Sequence, residues 1–158
     1  MDKKLQKFLE TNKIKYSLHE HKKVFTAHDE AQTQHLKTKE IAKVVLVKSD
    51  KAFALVIIPA QKYVDFAKVK KSLKANLPAG KAGKVSMARE SDITKILKSK
   101  IGLIHPFGNL YKLPALLDNY LAKQKKIMCS AGSYTESLEI KTSDFIKLAN
   151  PAKGSFSK

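Results

Sequence analysis

Two neighbouring apolar runs set the terms on which this chain can fold. Residues 41–48 read IAKVVLVK and residues 52–58 read AFALVII, with Ser49, Asp50 and Lys51 between them. Both are short and rich in β-branched side chains, so they predict the two strands of a hairpin. Side chains alternate across a strand. Lys43, Val45 and Val47 therefore share one face, and Ala42, Val44 and Leu46 share the other. Lys43 apart, both faces are apolar, so both have to be covered. The hairpin belongs inside a sheet with other elements packed on it.

The remaining segments supply that cover. Leu5, Phe8 and Leu9 recur at helical spacing within residues 2–12, closing near Asn12. Residues 14–19 (IKYSLH) alternate like a strand, and Thr26 ahead of AHDEAQ signals a helix start. Pro59 stops the second hairpin strand, and Val64, Phe66, Val69 and Leu73 predict a helix from about Asp65 to Lys74. Residues 76–84 (NLPAGKAGK) read as a loop, and residues 87–98 return to helical spacing. A helix is expected over 114–123, with Pro114 in its first turn. Strands are expected at 126–130 and 136–140 around a Gly132 turn, then a helix over 142–149 capped by Thr142 or Ser143. Strands and helices mix without strict alternation. The expected class is α/β in the broad, mixed α+β sense: one domain over residues 1–150, a mixed sheet flanked by helices, and a flexible basic tail over 151–158.

Charge narrows the partners. Lys and Arg number 31 and Asp and Glu 14, giving +17 on 158 residues, and Arg89 is the only arginine. Such a polycation attracts polyanions, nucleic acid foremost. Lysine acts as a hydrated point charge, which suits phosphate contact better than the reading of base edges. The alternative is that the charge merely solvates the surface. No apolar run approaches the roughly 20 residues of a membrane helix. The N-terminal MDKKLQKFLETNK lacks the apolar core of a secretory signal, so a cytoplasmic protein without membrane contact is expected. A single cysteine, Cys129, excludes an internal disulfide and a Cys-rich zinc site. His19, His21, His28 and His35 show no metal-ligand spacing, and neither a metal nor a cofactor is expected.

Three places carry candidate chemistry. Lys43 interrupts an apolar strand. An unpaired buried ammonium costs several kcal/mol, so an anionic ligand or a wet pocket belongs near it. A lysine with its stem packed and its amine in water fits the pattern equally. The segment Gly102-Leu103-Ile104-His105-Pro106-Phe107-Gly108 forms a stiff loop whose amides can hold an oxygen, or else an ordinary turn; it is not a phosphate loop, which would end in GK[ST]. Cys129, Ser130, Ala131 and Gly132 close a strand. Ser130 offers a hydroxyl. Cys129 is either a small core residue or, with His105, a nucleophile and base lacking an orienting third group.

In order, HKKVFTAHDEA, AKVVLVK, ALVIIPAQKYVDF, GLIHPFGNLYKLPALLD and SAGSYTESLEI resemble the YbaK-like, aminoacyl-tRNA synthetase-associated domain family along residues 3–150. These are free-standing relatives of the editing insertion domain of prolyl-tRNA synthetases. Lys43 matches the family's essential lysine, and Gly102 and Pro106 match its GxxxP loop. The last two stretches look closest to the branch that clears Ser- and Thr-type mischarged tRNAs, although His105 stands where that branch often has a smaller residue or proline. The resemblance implies a trans-editing deacylase: Lys43, Gly102 and Pro106 catalytic, with Tyr16, His21, Thr26, His105, Phe107, Gly108, Ser130, Ala131 and Gly132 around the substrate. The implied partners are the acceptor end of a mischarged tRNA and a synthetase. Two rival classes are a non-catalytic tRNA- or synthetase-binding module and a small-molecule-binding protein.

Overall fold

A computed structural model describes residues 1–20, 40–50, 52–76 and 84–158. Helix α1 (Lys3–Thr11) leads into β1 (Tyr16–Glu20), and the hairpin follows as β2 (Ala42–Ser49) and β3 (Ala52–Pro59). Ser49 pairs with Ala52, and Asp50 takes the left-handed conformation, φ 53°, that a tight hairpin turn requires. Next come α2 (Phe66–Asn76), β4 (Val85–Met87) and α3 (Glu90–Asp92), which runs into a π-helical turn over Ile93–Leu97. After a loop follow α4 (Gly108–Tyr111), β5 (Ala115–Asp118), α5 (Asn119–Ala122), β6 (Lys126–Ser130), β7 (Glu136–Lys141), α6 (Thr142–Ala149) and β8 (Ala152–Gly154).

The strands form two sheets, one of five strands in the order β4-β2-β3-β5-β8 and one of three in the order β1-β7-β6. In the larger sheet β2 pairs antiparallel with β3 and β4, while β3, β5 and β8 run parallel, so it is mixed as expected. The predicted alternation along β2 holds. Ala42 and Leu46 pack with Leu5 and Leu9 of α1, Phe145 of α6, and Ile127, Leu138 and Ile140 of the smaller sheet. Val47 packs on the other side with Val56 and Ile58 of β3, Val69 and Leu73 of α2, and Phe156. The hairpin is thus covered on both faces, by different elements and two separate cores.

Two expectations are corrected. Residues 114–123 do not form one helix: Ala115 to Asp118 are a buried strand and only Asn119–Ala122 are helical. ALLD has no polar face, and its backbone pairs on both edges, with β3 and with β8. The tail is not frayed. Phe156 is 2% exposed, and the buried Asp118 carboxylate accepts hydrogen bonds from the Phe156 N–H, the Ser157 hydroxyl and the Tyr120 N–H, each at 2.9 Å. Tyr63 and Lys158 exchange two backbone hydrogen bonds, at 3.0 and 2.8 Å. A charged anchor and an aromatic plug therefore hold a segment whose composition alone reads as loose.

Candidate functional site

Lys43 lies near the start of β2, opposite Ile58, on the face that carries the second core. It is half-buried. Its Nζ lies 5.0 Å from the centroid of the Tyr63 ring. Among the described residues no carboxylate lies within ion-pair distance of it. Partial burial lowers its pKa from the ordinary 10.5, because desolvation disfavours the charged form. Lys43 is thus partly desolvated, with an aromatic ring as the neighbour of its amine.

The Gly102–Gly108 loop is organised from beneath. Gly102 has φ 85°, where a side chain is strained, and is exposed. Pro106 is buried. His105 is 3% exposed, its ring stacked 4.5 Å from Tyr111 at 13°. Its Nδ1 accepts the Phe107 N–H at 3.3 Å, which leaves the ring proton on Nε2. Phe107 and Gly108, which the resemblance places around the substrate, are both buried. Phe107 is fully buried, edge-on between Phe8 at 5.8 Å and Phe145 at 5.3 Å. A Cβ on Gly108 would sit 2.4 Å from the Leu113 carbonyl oxygen. Both residues anchor the loop to the first core.

Burial lowers the His105 pKa from 6.5 to about 4, against a smaller upward pull from the Asp2 carboxylate. Tyr111, stacked on it, is pushed up to about 12 by burial. The histidine is thus neutral in the folded protein and takes up its proton earlier in the unfolded chain. Between pH 6.5 and about 4 the unfolded state binds more protons, so stability falls as pH falls through that window. About 3 kcal/mol is expected to be lost from this group alone. Urea midpoints measured from pH 7 to 4.5 test this: wild type should lose stability more steeply than His105→Gln. Parallel curves would refute it.

Across from the loop, the β6–β7 turn is built on the chain's own start. The Ser130 Oγ accepts the Gly132 N–H at 3.1 Å. Ala131 is fully buried, its carbonyl accepting the Asp2 N–H at 2.8 Å. Gly132 has φ 83°, and a Cβ there would lie 2.7 Å from that of Asp2. The Met1 ammonium pairs with Glu136. Tyr134 ties the turn to the loop by donating to the Ile101 carbonyl at 3.3 Å. Cys129 is buried, with its Sγ directed to the Leu138 carbonyl at 3.8 Å, as in the core reading of that residue.

The residues thus gather in two groups, Lys43 with Tyr63, and the Gly102–Pro106 loop with Ser130–Gly132. No hydrogen bond or ion pair among the described residues joins Lys43 directly to the loop. A parallel bridge from Ile41 to Met128 links the groups, with Lys43 and Ser130 each two residues beyond it. Tyr16 is half-buried on β1 opposite Ile140, packed against the first core. His21 and Thr26, and the helix expected from Thr26, lie outside the described residues, as does most of the 76–84 loop. Sequence reasoning missed Tyr63, Asp118 and Tyr134. The only sequence signal for Asp118 is its position before Asn119-Tyr120, where a helix cap fits; Tyr63 has none beyond an aromatic following two polar residues.

A family model described as an aminoacyl-tRNA editing domain matches residues 21–148. Hypothetical protein APE2540 has a similar fold, with TM-score 0.86 at 19% identity, covering 99% of this chain and 100% of that one. A protein described as a candidate trans-editing enzyme for prolyl tRNA synthetase is similar at TM-score 0.80 and 18% identity, covering 100% of this chain and 99% of that one. No curated protein sequence matches the chain.

Proposed function

Because the chain belongs to the aminoacyl-tRNA editing domain family, we propose that it is a trans-editing deacylase, which hydrolyses the ester of tRNA charged with a wrong, small amino acid of the Ser or Thr type. The observation that carries this reading is Lys43: a half-buried ammonium in an apolar strand, with no carboxylate at ion-pair distance among the described residues. A cation desolvated in that way is held ready for an anionic ligand, and the terminal phosphate of a tRNA supplies one. The +17 charge suits the acceptor stem, gripped through its phosphates.

Lys43 holds the terminal nucleotide, and backbone N–H groups of the loop ahead of Pro106, that of the exposed Gly102 first, polarise the ester carbonyl. Water adds to the carbonyl carbon, the carbon–oxygen bond to the ribose breaks, and the ribose oxygen takes a proton. The products are tRNA and the free amino acid. Gly102 suits this task because a bare, exposed backbone at φ 85° admits close approach. His105 acts from below: buried and neutral, it holds the Phe107 N–H and with it the loop. A second hydrolytic pocket is useful because one methylene or hydroxyl changes binding by only about 1–3 kcal/mol, too little for a single site.

The test is a panel of tRNAs charged with Ser, Thr, Ala and Cys. The expected result is release of at least one amino acid well above its spontaneous rate. Salt-sensitive tRNA binding without hydrolysis would overturn the deacylase and leave the non-catalytic binding module.

A further inference from the structure

We infer that Tyr63 is a stacking platform for a nucleobase, the one attached to the phosphate that Lys43 holds. This deepens the reading above and rests on it for the identity of the ligand as the 3′ end of a tRNA. Tyr63 is 72% exposed, more than Leu18, Met87 or Ile101. A large aromatic ring left in water has no packing role of its own. Yet its backbone is held firmly. It exchanges two hydrogen bonds with Lys158, and the next residue, Val64, is buried and bridged to Ser157. An exposed ring on a fixed backbone loses little freedom when something lies against it.

The ring's neighbours say what that is. The Lys43 ammonium stands 5.0 Å from the ring centroid, and Lys62, just before it in sequence, places its own Nζ 4.7 Å from the Tyr120 ring centroid. A flat, exposed aromatic face beside the Lys43 ammonium matches a nucleotide, which carries a flat π face and a phosphate in one unit. A free amino acid offers no such pairing. Base-on-aromatic stacking is tolerant of base identity and is strengthened where a cation adjoins the π system. Tyr63 therefore positions the terminal nucleotide while Lys43 neutralises its phosphate.

The test uses two RNA hairpins with an acceptor-stem sequence, one ending in CCA and one lacking the terminal adenosine, with binding followed by fluorescence anisotropy. Wild type should prefer the full-length end by about tenfold, Tyr63→Ala should abolish that preference, and Tyr63→Phe and Tyr63→Trp should retain it. In deacylation, Tyr63→Ala should raise KM about tenfold with kcat within about twofold. Retained preference in Tyr63→Ala, or none in wild type, overturns the inference. The binding experiment needs no turnover. Adenosine preference lost with Tyr63→Ala in a protein that hydrolyses nothing would sustain the platform and sink the deacylase; hydrolysis untouched by Tyr63→Ala would do the reverse.

Discussion

Lys43→Ala is expected to lower kcat/KM on a mischarged tRNA by about 10- to 150-fold, while its thermal midpoint stays at or slightly above that of wild type. The first effect follows from losing a charge-assisted contact to the substrate phosphate. Hydrogen bonds to charged groups are worth about 1.5–3 kcal/mol, and each 1.4 kcal/mol is about tenfold in rate. The second follows from the site itself. The ammonium is partly desolvated, and among the described residues it has no carboxylate to repay that cost. Removing it relieves the fold of a burden. Lys43→Met keeps the stem's packing and should behave alike, which separates charge from volume. Wild-type turnover by Lys43→Ala would remove this residue from the mechanism.

Phe107→Ala is expected to have the largest effect on stability, about 3–5 kcal/mol. The ring is fully buried, edge-on to both Phe8 and Phe145, and so pins the loop, α1 and α6 to one another. At this chain length the loss corresponds to a thermal midpoint lower by about 6–20 °C. Activity should fall as well, at temperatures where the variant is still folded, because the backbone N–H groups of the loop ahead of Pro106 lose the floor that sets their direction. Phe107→Leu should restore most of the stability. A midpoint within about 2 °C of wild type for Phe107→Ala would mean that the loop stands without its anchor.

These two residues show how differently a site can be written into a chain. Lys43 was legible because a charge breaks an apolar pattern with a period of two, and that pattern is local. The burial of Phe107, placed around the substrate by the resemblance alone, is not legible locally, because it stands among Gly and Pro, where composition suggests a loop and gives no sign of depth. The burial of His105 is equally invisible there; Tyr111, six residues on, stacks against its ring, and the Asp2 carboxylate that acts on it comes from the far end of the chain. Tyr63 was passed over because exposure has no sequence signature. The contact of its ring with Lys43 joins two segments separated by all of β3.

By itself the sequence determined the hairpin, its two apolar faces, helices over 2–12, about 65–74 and 142–149, which the structure places at 3–11, 66–76 and 142–149, and the lysine at the edge of the core. Each of these is encoded in the spacing of neighbouring side chains, so it survives without knowledge of the rest. Tertiary structure alone decided that ALLD is a strand, that the C-terminal residues are a clamp, and that the strands divide into two sheets. A short apolar run satisfies helix and strand periodicity alike. Which one forms depends on the free energy of pairing its backbone with β3 and β8 and of burying Phe156 beside Asp118, partners that come from distant parts of the chain.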